Sequence, residues 1–111
     1  MSKLLICTDN KELAKAVSGT MERLNCGVVK LLGGADYLEQ NVLRVIKLHK
    51  PSHVLIGYMD FNVQRHDIVK KTGADRTLIH CGHPDRVREA KERGYQVYGI
   101  IGTKELANFI S

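Results

Sequence analysis

No apolar run in these 111 residues approaches the roughly 20 consecutive residues that a membrane-spanning helix needs. The opening stretch turns polar at Thr8 and Asp9, too early for the apolar segment of a secretory signal, so a cytoplasmic chain is expected. Cysteine is sparse: Cys7, Cys26 and Cys81 are odd in number, widely spaced and without a CxxC pair. That excludes a disulfide framework and a paired-thiol zinc site, and reduced thiols are expected. Gly33 and Gly34 belong to neither a GxGxxG nor a GxxxxGK[ST] pattern, so they read as a turn, not a phosphate-binding loop. No cofactor is expected.

What is present is the usage of a globular protein, 43% hydrophobic and 26% charged residues, with enough chain for one hydrophobic core spanning residues 1–111. The net charge of +5 favours acidic or phosphate-bearing partners. Eight of the seventeen Lys and Arg residues fall between Arg65 and Arg93. Asp67, Asp75, Asp85, Glu89 and Glu92 dilute that stretch, which reads first as a solvated helical face and second as a nucleic-acid or polyanion surface.

Short aliphatic runs alternate with helical periodicity. Residues 3–8 read as a strand buried on both faces. Asp9 and Glu12 have capping-box spacing ahead of Leu13, Val17, Met21 and Leu24. A second strand covers residues 28–32. Asp36 and Glu39 repeat the capping-box spacing before the stripe Leu38, Val42, Val45, Ile46 and His49. A third strand spans residues 53–58, and a weaker helix over 61–71 closes at Gly73. A fourth strand covers 77–81, a basic helix 84–93 starts at Pro84, a fifth strand covers 96–101, and Gly102 with Thr103 begins a last helix. Five strands alternating with five helices demand a parallel sheet, and in so short a chain the flavodoxin-like order 2-1-3-4-5 is expected. Ligands in such sheets gather at the carboxyl ends of the strands. The crevice residues to inspect are thus Cys7, Thr8, Asp9, Gly57, Asp60, His80, Cys81, His83 and Thr103.

The aliphatic run 3–7 followed by Thr8, Asp9 and an amphipathic helix resembles the start of bacterial response-regulator receiver domains. Residues 51–57, 80–83 and 94–98 resemble their third, fourth and fifth strands in order. The resemblance implies a signalling fold whose phosphotransfer needs an acid pair, an Asp nucleophile, a hydroxyl residue and a Lys around Mg²⁺. On this sequence those positions fall on Thr8 and Asp9, Gly57, Cys81 and Ile101, so only Asp9 keeps the expected chemistry. The chain reads as a pseudo-receiver. Asp60, three residues past Gly57, reads as a helix cap and not as a displaced nucleophile.

Three other chemistries fit parts of the chain. Cys7 is similar in position to the phosphoryl-bearing Cys of IIB phosphocarrier subunits of sugar phosphotransferase systems, but the carboxylates of Asp9 and Glu12 would raise a thiol pKa there and repel phosphate. His80, Cys81 and His83 are the densest metal-capable cluster, yet His80 and Cys81 point to opposite faces of an extended strand. A small enzyme or ligand carrier would use Cys7, Asp9, Cys81 and His83. The principal reading remains a receiver-like regulatory domain with no reaction assigned, binding a protein partner or a second copy of itself. The surface expected to carry that binding is Arg86, Arg88, Lys91, Arg93 and Tyr98, with nucleic-acid or polyanion binding by residues 65–93 as the further alternative.

Overall fold

The computed structural model describes residues 2–8, 10–31, 39–57, 63–81, 84–98 and 102–110, with the side chains of 39–41, 63–67 and 86 outside that description. Along the chain run β1 (Lys3–Cys7), α1 (Lys11–Arg23), β2 (Gly27–Leu31), α2 (Glu39–His49), β3 (His53–Gly57), α3 (Val63–Thr72), β4 (Thr77–His80), α4 (Pro84–Glu92), β5 (Gln96–Tyr98) and α5 (Thr103–Ile110). The strands form one parallel sheet in the order β2-β1-β3-β4-β5, as the strict alternation demands.

Alternation along each strand distributes its side chains between two layers of helices. Leu5, Cys7, Val54, Ile56, Ile79, Cys81 and Val97 pack with Val42 of α2, Ile68 and Val69 of α3 and Ala90 of α4. Leu4, Ile6, Leu55 and Leu78 pack on the opposite face with Ala14, Val17 and Met21 of α1 and Leu106 and Phe109 of α5. Leu4, Leu5, Ile6 and Cys7 are wholly buried, the signature of a strand covered on both sides. None of the described helices is long and apolar enough to cross a membrane.

The punctuation differs from expectation in one register. Asn10, not Asp9, is the N-cap of α1: its side chain accepts from the Leu13 backbone N–H at 3.0 Å. Asp and Asn cap equally well, so adjacent candidates are decided by where the strand ends, and Thr8 N–H still donates to Leu31 O at 3.0 Å before the chain turns. Asp36, the second expected cap, lies outside the described residues, as do residues 58 and 99–101 at the expected ends of β3 and β5. Gly73 and Gly94 sit at φ of 104° and 83°, which glycine adopts without the Cβ clash, and so the chain leaves α3 and α4 there. A 3₁₀ turn over Ala74–Arg76, not anticipated from periodicity, links α3 to β4.

Candidate functional site: the carboxyl edge of the central strands

The carboxyl ends of β1 and β3 meet at Thr8 and Gly57. Thr8 is 1% exposed, and its hydroxyl accepts from the Asn10 backbone N–H at 3.0 Å, which holds the side chain toward the sheet as the chain turns into α1. Gly57 ends β3 beside it. A β-carbon placed on Gly57 would overlap the Thr8 hydroxyl, lie 2.5 Å from Thr8 Cβ and lie 3.4 Å from Leu13 Cδ2. The space in which a side chain at position 57 would begin is therefore filled by β1 and α1.

Gly57 pairs in register with His80 of β4, and His80 with Tyr98 of β5. His80 is half-buried, and Tyr98 is 40% exposed. Cys81 is 2% exposed, and its N–H donates to Tyr98 O at 3.0 Å. Because Cys81 shares the core layer of Ile79 while Leu78 lies in the other, alternation places His80 on the α1–α5 face, away from the Cys81 thiol. Cys7 is wholly buried in the same layer as Cys81. At the start of α5, Thr103 is exposed, and the Glu105 carboxylate reaches back to accept from the Gly102 N–H at 3.0 Å. Asp9, Asp60 and His83 lie outside the described residues. Among the described residues no group of three His, Cys, Asp or Glu side chains could hold a metal ion.

The second candidate surface is α4 with β5. Arg88, Lys91 and Arg93 are exposed; Arg86 belongs to the same helix. Their charges are partly answered locally. Arg88 pairs with Asp85 one turn earlier at 2.5 Å, and Arg93 approaches Glu89 at 3.9 Å. Such exposed pairs contribute little to stability but lower the net charge of this face.

Two titratable groups away from the edge are displaced by their surroundings. Burial pushes the Cys26 thiol up, against a hydrogen bond with the Leu4 backbone. Burial first, and then the Arg76 guanidinium, hold the His53 imidazole below its usual value, with Asp75 acting in the opposite direction. His53 stands edge-on to Phe109 at 4.9 Å between centroids, and its Nδ1 lies 2.9 Å from the Ser52 hydroxyl.

Sequence reasoning marks Gly57 for its lack of a side chain but misses that Thr8 occupies the space. A threonine following a fully apolar strand, with a glycine at the end of the neighbouring strand, is the signal that could suggest it.

No protein-family model matches the chain, and no curated protein does. Solved structures do match. A response-regulator signal receiver domain from Bermanella marisrubri superposes with a TM-score of 0.70 at 14% identity, covering 97% of this chain and 94% of that one. A response-regulator receiver domain protein from Clostridium thermocellum superposes at 0.69 with 15% identity, covering 99% and 91% respectively. At such identities the likeness is one of fold. The chain has the five-stranded, flavodoxin-like receiver fold along nearly its whole length.

Proposed function

We propose that this domain is a receiver-like regulatory module that acts by binding a protein partner and does not undergo phosphotransfer. The observation that carries the reading is the packing of Thr8 and Leu13 into the space a side chain at position 57 would need. A receiver's phospho-acceptor must project from the end of β3 into an open crevice with oxygen ligands for Mg²⁺ around it. Here β3 ends in a glycine pressed against a buried threonine, which itself stands where an acid of the metal-binding pair would be. A domain with this fold and no acceptor side chain at the end of its central strand retains its surfaces as its means of action.

The face assigned to the partner is the α4–β5 edge: Arg88, Lys91 and Arg93 are exposed on α4 and just past its end, with Arg86 on the same helix, and the half-exposed Tyr98 ring stands at the carboxyl end of β5, on the sheet face opposite α4. A second copy of the chain is the alternative occupant. Incubation with acetyl phosphate and Mg²⁺ followed by intact-mass measurement tests the central claim. An unchanged mass is expected, and a gain of one phosphoryl group overturns it. Sedimentation across a wide concentration range tests self-association, which Tyr98→Glu should abolish.

A further inference from the structure

The cations of α2 and α3 are distributed unlike the others. From residue 40 to 59 the sequence holds Arg44, Lys47 and Lys50 and no acid; from 68 to 74 it holds Lys70 and Lys71 and no acid. Lys47, Lys70 and Lys71 fall in the last turns of their helices, and Lys50 follows directly after α2. All five side chains are exposed, and none forms an ion pair with an acid among the described residues. Several cations elsewhere have company. Arg93 and Lys91 share α4 and its end with Glu89 and Glu92, and Arg23 follows Glu22 and donates to the Thr20 hydroxyl.

Topology brings the two groups together. In a parallel sheet every connecting helix runs back against the strands, so all the helix C-termini lie at the amino end of the sheet. α2 packs beside α3, at the roughly 8–10 Å axial spacing of neighbouring helices. Helix axes at that spacing are within a Debye length at about 0.1 M salt, so the cations at the two C-terminal turns add to one field. Lys3, at the amino end of β1, adds a sixth: its ammonium reaches the His49 carbonyl at 3.3 Å, at the end of α2. A helix macrodipole is satisfied by about one cation in the last turn. Arg44 and Lys47 on α2, Lys50 just past its end and Lys70 and Lys71 on α3 are five cations against Asp67 and Asp75, the acids that flank the α3 pair, still more than two helix ends take up.

We propose that this amino-terminal end of the sheet, at the paired C-terminal turns of α2 and α3, is a docking surface for the phosphate backbone of double-stranded nucleic acid. It lies on different elements from the α4–β5 face and stands or falls independently of the reading above. The partner follows from what accompanies the charge. A single-strand site stacks bases on aromatic rings, but among the described residues the one large aromatic side chain that is exposed is Tyr98, at the carboxyl end of the sheet. A membrane-surface helix turns its apolar stripe outward, whereas Val42 of α2 is buried in the core, with Val45 and Ile46 packed against it, and only Leu48, 72% exposed, projects among the lysines. Among the described residues the surface is basic and Leu48 is its one exposed large aliphatic side chain, which suits backbone contact without base readout.

The test uses the full chain and a fluorescent duplex DNA of about two helical turns, long enough to span the domain. Anisotropy should show binding at about 50 mM salt that weakens steeply toward about 200 mM. Replacing Lys47, Lys50, Lys70 and Lys71 together by Gln should weaken binding by about tenfold or more and reduce the log–log salt slope by up to about 4, one unit for each phosphate no longer neutralised. A matched set, Lys11→Gln, Lys15→Gln and Lys104→Gln, should change neither. With the unaltered protein, an amine-reactive label should mark Lys47, Lys50, Lys70 and Lys71 less in the presence of duplex, while Lys11, Lys15 and Lys104 label equally, a readout that needs no variant to fold. Absence of binding at about 50 mM salt overturns the proposal. So does a labelling pattern that duplex leaves unchanged, tighter binding to single-stranded DNA, or preference for phosphatidylserine vesicles.

Discussion

Substituting Gly57 by alanine adds one methyl group at a strand end where the packing leaves no room for it. The new carbon would overlap the Thr8 hydroxyl and sit 2.5 Å from Thr8 Cβ, far inside the contact distance of about 3.5–4.0 Å between carbons. Neither neighbour can retreat freely. The Thr8 side chain is buried and holds the Asn10 N–H, and its backbone is bonded to Leu31. Overpacking of a well-filled core costs about 1–3 kcal/mol, and a clash with two atoms of a restrained neighbour belongs at the upper end, about 3 kcal/mol. In a domain of this size that lowers Tm by at least about 10 °C. The control is Thr8→Gly, which removes both overlapping atoms at the cost of one hydrogen bond, about 1 kcal/mol, and of backbone entropy, up to about 1 kcal/mol. In the Thr8→Gly background Gly57→Ala should cost under about 1 kcal/mol, a coupling of about 2 kcal/mol between the sites. Urea unfolding of the four proteins with a common slope measures each quantity. Additive effects, or a loss under about 0.5 kcal/mol for Gly57→Ala alone, would show that Thr8 and Leu13 do not close the space.

Two further outcomes follow from burial. Cys7, Cys81 and Cys26 are 0, 2 and 6% exposed, so all three should react with a disulfide reagent far more slowly in the native protein than in urea; a native thiol reacting at the rate of a free one would point to a reactive cysteine and revive the enzyme reading. His53 has a depressed folded-state pKa, so below its unfolded value of about 6.5 the unfolded chain binds more protons, and stability present above that pH is lost as pH falls toward the folded value. His53→Gln should flatten the stability profile between about pH 7.5 and 5.5, where carboxylates titrate little; equal profiles would remove His53 as the cause.

The order of elements was legible because it rests on local periodicity. The aliphatic runs of residues 4–6 and 54–56 require cover on both faces, and the stripes at Val17, Met21, Val42 and Ile46 supply the covering helices. Gly73 and Gly94 end helices for a reason that resides in the residue itself. The cap of α1 was legible only to within one position, since Asp9 and Asn10 offer the same acceptor and the pairing of Thr8 with β2 decides between them. No local rule carries the closure of the strand ends, where Thr8 fills the space at Gly57 from a distant part of the chain. Nor does one carry the placing of α2, with Lys47 and Lys50 at its end, beside α3, with Lys70 and Lys71 at its own. A sequence pattern reports how a segment divides its faces between core and water, which determined the fold class here; which side chains then share a few ångströms depends on parallel pairing and on the direction in which the helices return, and only the tertiary structure decided that.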